Sequence, residues 1–217
     1  MKQLALGISP PPQPTLDNFV PGANFELLAR LRELKAGRFA DNVLYLWGES
    51  GSGKSHLLQA CAATHVADDV EKLDDASQIC LFNAINEARQ SGAVVLAAGN
   101  APPAQLPLRE DLKSRLAWGL VYQVKLLSDE ERSTYLRGEA ARRGMQLPEE
   151  VIAYLMTHMR RDLRSLTAIL DRLDQVSLEL KRPITLPSTR LYMLCGLWFV
   201  LTSLVILPAS MASGGSV

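Results

Sequence analysis

Gly48-Glu49-Ser50-Gly51-Ser52-Gly53-Lys54-Ser55 decides the fold. It has the spacing GxxxxGK[ST]. Val43-Leu44-Tyr45-Leu46-Trp47 stands in front of it, a short apolar run that reads as a buried strand. Ser55–Thr64 behind it has helical spacing. A strand running into such a loop, and a helix leaving it, is the context that gives the motif meaning. The glycines let backbone N–H groups curl around phosphate oxygens, and the helix N-terminus adds positive potential. Lys54 would reach the β- and γ-phosphates, and the Ser55 hydroxyl a magnesium ion. Gly48 through Ser55 thus predict an ADP or ATP site with Mg2+.

Working outward, Val94–Ala98 and Val121–Leu126 read as two further buried strands, and Asn24–Leu34 and Ile79–Ala88 as helices. From Ser128 the texture changes. Ser128-Asp129-Glu130-Glu131 has the form of a capping box, with Ser128 as N-cap and Glu131 at N3. Leu147-Pro148-Glu149-Glu150 starts another helix, and Asp162–Glu179 continues the helical pattern. Strands alternating with helices, then helices alone, predict an α/β domain with a parallel sheet and a small all-helical lid. The divisions are a 1–24 arm, a 25–127 α/β domain, a 128–187 lid and a 188–217 tail.

The chain has 217 residues, with 23 Lys+Arg against 23 Asp+Glu. A zero formal net charge argues against a protein that mainly coats nucleic acid, which needs an excess of cations. Cys61, Cys80 and Cys195 form no CxxC pair, so no metal site or disulfide framework is indicated and a reducing cytoplasm suits the chain.

Acidic partners for the loop belong at the end of a neighbouring strand. Asp68-Asp69, after Val66-Ala67, are the candidates, Asp68 for magnesium and Asp69 for activating water; a helix cap is the plainer use of the pair. Only twelve residues separate Ser55 from Asp68. A helix and a whole extra strand rarely fit there, since a strand-helix-strand unit takes roughly thirty residues.

The phosphate loop, Val70-Glu71-Lys72-Leu73 after the two aspartates, Gly99-Asn100-Ala101-Pro102-Pro103 and Leu112-Lys113-Ser114-Arg115-Leu116-Ala117-Trp118-Gly119 together resemble AAA+ proteins of the bacterial DnaA group. Within it the chain is similar to the short regulators that inactivate the initiator DnaA. The resemblance spans roughly residues 1–187. It implies a sheet short of one strand. It also implies that Asn100 senses the γ-phosphate, although an Asn before Ala-Pro-Pro equally suits a turn. Arg115 would be an arginine finger offered in trans to ATP on DnaA; a salt-bridged surface arginine is the ordinary alternative. Arg164 would touch this chain's own nucleotide, or else belong to a solvated face. Phe19-Val20-Pro21-Gly22 resembles the segment that lies against adenine.

The opening Gln3-Leu4-Ala5-Leu6-Gly7-Ile8 resembles the QLxLxL peptide by which such regulators bind the DNA polymerase III β sliding clamp, with Gln3, Leu4 and Leu6 as anchors. A short extended peptide suits a small apolar groove, and Pro10-Pro11-Pro12-Gln13-Pro14 would act as a semi-rigid tether. The implied function is an activator of ATP hydrolysis on DnaA rather than an enzyme in its own right. It would meet DNA only through the clamp, and self-association is left open. A DnaA-like initiator or helicase-loader ATPase acting on DNA is the alternative.

The tail departs from the resemblance. Leu191–Leu207 is 17 residues without a charge, just after Lys181, Arg182 and Arg190. That is the short edge of a membrane span. A divergent or frame-shifted end, a membrane anchor and a buried helix are the three readings.

Overall fold

The computed structural model describes residues 13–61, 63, 65–159 and 162–180. Among these residues four parallel strands form one sheet, in the order β2-β3-β1-β4. They are β1 (Val43–Trp47), β2 (His65–Ala67), β3 (Val95–Gly99) and β4 (Leu120–Gln123). β3 is buried throughout and β1 nearly so. Both faces of a parallel sheet are covered, which is why these strands read as unbroken apolar runs.

Side chains alternate across the sheet. Leu44, Leu46, Leu96 and Ala98 pack with Leu27, Leu28 and Leu31 of α1 (Phe25–Lys35) and Leu57, Leu58 and Cys61 of α2 (Lys54–Cys61). Val43, Tyr45, Val95 and Ala97 face the other way. They meet Leu81, Ile85 and Ala88 of α3 (Asp75–Ser91) and Leu112 and Leu116 of α4 (Glu110–Trp118). The result is three layers, helix on sheet on helix. A second, smaller core lies among α5 (Asp129–Arg142), α6 (Glu149–His158) and α7 (Leu163–Leu180), around Leu136, Ile152, Leu166 and Leu170.

Several boundaries differ from the sequence reading for local reasons. α2 is described as Lys54–Cys61 against a reading of Ser55–Thr64; Ala62 and Thr64 lie outside the described residues, and β2 begins at His65. α3 begins at Asp75 rather than Ile79: Asp74 caps it by accepting from the Ser77 N–H at 2.9 Å. β4 ends at Gln123 rather than Leu126. The Lys125 N–H donates to the Asn24 side chain, 2.8 Å away, instead of continuing the ladder. The capping box is as read, with both Ser128–Glu131 hydrogen bonds in place.

The arm is the larger difference. Leu16 is only 4% exposed and joins the core under α1 and α2. The second half of the 1–24 segment is therefore a strap on the α/β domain. A leucine placed two residues past a proline run is what the composition-based reading overlooked.

A candidate phosphate site at the carboxyl edge of the sheet

Register brings the site together. Trp47 of β1 is paired with Gly99 of β3, so Gly48 and Asn100 leave neighbouring strands side by side. Ala67 of β2 is paired with Ala97, so Asp68 and Asp69 emerge one strand further along. This carboxyl edge is where open α/β sheets bind ligands.

The loop is held from two sides. Gly51 and Gly53 have φ of 83° and 97°, a region that disfavours any side chain. A Cβ on Gly53 would lie 2.7 Å from the Phe19 ring, and one on Gly51 would lie 2.6 Å from Cβ of Asp162. Phe19 of the strap and Asp162 of the lid thus close on the loop from either side. The Phe19 ring also meets His56 of α2, centroids 5.6 Å apart.

Lys54 is buried, and its ammonium donates to the carbonyls of Gly48 at 2.8 Å and Glu49 at 3.0 Å. Burial pulls its pKa down, while the carboxylates of Asp68, Glu71 and Asp69 push it back up. Ser52 Oγ is buried with no hydrogen-bond partner among the described residues. A buried hydroxyl without a partner is costly; phosphate oxygens would supply acceptors for it. The residues fit a nucleotide's phosphates, with Ser55 half-exposed at the start of α2.

The acidic group is rearranged relative to the sequence reading. Asp69 has φ of 48°, a left-handed conformation that Asp tolerates, and its carboxylate is ion-paired with Lys72 at 2.6 Å. Asp68 Oδ1 accepts from the Asp69 N–H at 2.9 Å. Glu71, overlooked in the sequence, is returned to the site by the 3-10 turn Val70–Lys72. Its Oε2 accepts from the Asn100 N–H at 3.3 Å. The signal was there in Asp-Asp-Val-Glu: a carboxylate two residues past the pair, on a turn too tight to carry it away. Among the described residues no group of three or more His, Cys, Asp or Glu could hold a metal ion. A magnesium ion at Ser55 and Asp68 would take its remaining ligands from phosphate and water.

Domain III of the replication initiation protein DnaA from Thermotoga maritima has a similar fold, with a TM-score of 0.68 and 24% identity over 84% of this chain and 97% of that one. Residues 129–193 match the family model described as the lid domain of Hda. Residues 129–193 thus resemble an Hda lid, and the fold as a whole resembles that of DnaA domain III. AMPPCP-bound DnaA from Aquifex aeolicus is similar at a TM-score of 0.64 and 20% identity, over 74% of this chain and 65% of that one. The RuvB Holliday junction branch migration motor of Thermotoga maritima is similar at 0.64 and 17%, over 84% and 71%. The Hda lid match runs to residue 193, past the point where the sequence reading placed the end of the likeness.

The other predicted residues fall in three places. Arg164 lies in the first turn of α7, directly after the Asp162 contact with the loop, so that turn stands near the phosphate loop. Gln3, Leu4 and Leu6, and the apolar run Leu191–Leu207, lie outside the described residues. Among the described residues no helix is long and apolar enough to cross a membrane.

Arg115 is not at this loop. Gly119, just after α4, packs on the backbone of Val43 at the start of β1, and a Cβ there would strike the Val43 carbonyl. The phosphate loop follows Trp47 at the other end of β1, about 13 Å away at the rise of a strand. Arg115 Cζ lies 3.9 Å from the Trp118 ring centroid and 5.4 Å from that of Phe82. It makes no hydrogen bond or ion pair among the described residues.

Proposed function

We propose that this DnaA-related AAA+ protein is a regulator of chromosome replication initiation, one that promotes hydrolysis of ATP bound to DnaA and leaves DnaA inactive. The observation that carries this reading is Arg115, an arginine with no carboxylate partner among the described residues, stacked on Trp118 near the C-terminal end of α4 and not at its own phosphate loop. An unpaired guanidinium held there suits a neighbour's nucleotide better than its own. Offered to the γ-phosphoryl group on DnaA, it would stabilise the charge that spreads over the equatorial oxygens as the bond to ADP breaks.

The chain's own nucleotide, ADP or ATP, would serve as a structural ligand that joins loop and lid. Lys54, Ser52 and the amides of Gly48–Ser55 would hold its phosphates. Asp68 would reach magnesium through water, Arg164 would come from the lid, and Asn100 would read the γ-phosphate. Asp69 is engaged by Lys72, which supports weak hydrolysis by this chain itself. Gln3, Leu4 and Leu6 would dock on the sliding clamp and so bring Arg115 to DnaA.

The test is hydrolysis of DnaA-bound ATP in the presence of DNA-loaded clamp. The wild-type chain is expected to stimulate it. Arg115→Ala should keep clamp capture and lose stimulation by about a thousandfold at the usual worth of an arginine finger. Gln3→Ala/Leu4→Ala should lose capture and, with it, clamp-dependent stimulation. Full stimulation by Arg115→Ala would remove Arg115 from the mechanism. Hydrolysis by this chain alone, stimulated by DNA without DnaA, would favour the initiator or helicase-loader alternative.

A further inference from the structure

Trp118 is 60% exposed, unusual for the largest apolar side chain, and it is not idle. Arg115 and Trp118 sit three residues apart on α4, a spacing that puts side chains on one helix face. The Arg115 guanidinium lies 3.9 Å from the indole centroid. Arg89 of α3 approaches the same indole, at 5.2 Å. Phe82 of α3 is also close to Arg115, 5.4 Å away.

We infer that Trp118 is a positioning residue for Arg115: it holds the guanidinium by its flat face so that the N–H edges point outward, unspent, for a phosphoryl group on a partner molecule. The inference rests on the trans reading of Arg115.

The physical case turns on what holds an arginine still. A long arginine loses considerable rotamer freedom when it is fixed. A carboxylate partner would fix it but would consume the N–H donors that a phosphate needs. Arg109, at the other end of α4, shows that outcome: it spends two donors on Asp111, at 3.2 and 2.8 Å. An aromatic face fixes the cation through the ring quadrupole and takes no hydrogen bond. Phe82 limits the guanidinium from a second element, so α3 and α4 together define its place. Arg89 adds a second positive charge on the same indole. That repels Arg115 slightly, and it raises the potential that an incoming phosphate would meet.

Stimulation of ATP hydrolysis on DnaA, measured against concentration of Trp118→Leu, Trp118→Phe, Arg115→Ala and wild type with DNA-loaded clamp, tests this. Trp118→Leu should lower maximal stimulation about five- to tenfold, the worth of a partly desolvated cation–π contact. Its half-saturating concentration should stay within about twofold, because docking on the clamp is elsewhere. Trp118→Phe should recover most of the loss, since a ring remains beneath the cation. Thermal midpoints of the variants should match wild type, the site being exposed. Wild-type stimulation by Trp118→Leu, alongside a dead Arg115→Ala, would overturn the positioning role and leave the trans reading intact. No rescue by Trp118→Phe would also overturn it. Undiminished stimulation by Arg115→Ala would overturn the trans reading itself.

Discussion

At the residue scale, Glu71 changes the electrostatics of the site. It is one of three carboxylates acting on Lys54, and its effect there exceeds that of Asp69. These charges partly offset the burial of the Lys54 ammonium, and they also oppose an anionic ligand. Glu71→Gln keeps the shape and removes the charge. Its expected effect is an about threefold tighter affinity for ADP without magnesium, a modest Coulomb gain across partly screened distances. A calorimetric titration in EDTA measures it, and unchanged affinity would place Glu71 outside the phosphate field. Asp69, by contrast, is held by its own backbone and by Lys72. A pair of adjacent aspartates says nothing about which carboxylate turns inward. The turn after them decides, and its φ angles are not written in composition.

At the element scale, the central strands follow from patterns visible in the chain. β1 and β3 announce themselves because burial on both faces demands continuous apolar residues. β2 does not: His65-Val66-Ala67 is half-exposed and three residues long, and no periodicity can be read from so few. The loop and Asn100 were legible because a motif fixes one and a strand end fixes the other. The Arg115 stack was not, since its Phe82 comes from a helix more than thirty residues away. The lid offers a prediction of its own. The Arg142 guanidinium, and then Arg143, hold the Glu139 carboxylate below its ordinary value of 4.5. Arg143 also reaches Asp171 of α7, at 2.5 Å. A carboxylate with a lowered folded pKa contributes stability above its unfolded value, and loses it as pH falls through the folded one. Lid stability should therefore decline below about pH 4.5. Glu139→Gln should already be weaker at neutral pH and flatter on acidification, read by circular dichroism melts across that range.

At the scale of the whole molecule, two domains must be tied without being fused. Asn24 provides the tie. It is 4% exposed; its amide donates to the carbonyls of Pro21 at 3.0 Å and Lys125 at 2.9 Å, and its Oδ1 accepts from the Lys125 N–H at 2.8 Å. Lys125 stands three residues before the cap of α5. Asn24→Ala should cost about 2 kcal/mol, since it leaves partly buried backbone groups unmatched. Denaturant unfolding measures that loss, and a cost under about 0.5 kcal/mol would mean that water takes over the bonds.

The strap between residues 13 and 24 has a mechanical consequence. Its contacts come in sequence: Leu16 in the core, Phe19 on the phosphate loop, Asn24 on the connection to the lid. A pull applied upstream of residue 13 first meets the hydrogen bond between the Thr15 carbonyl and His56, 2.9 Å, then the hydrophobic plug, and the hydrogen-bonded clip last. Tension from a docked amino terminus would be spent on freeing Leu16 before it could disturb the loop, and on freeing Phe19 before it reached the hinge. The strap is thus a strain relief, like the knot that keeps a tug on a cable from its connections.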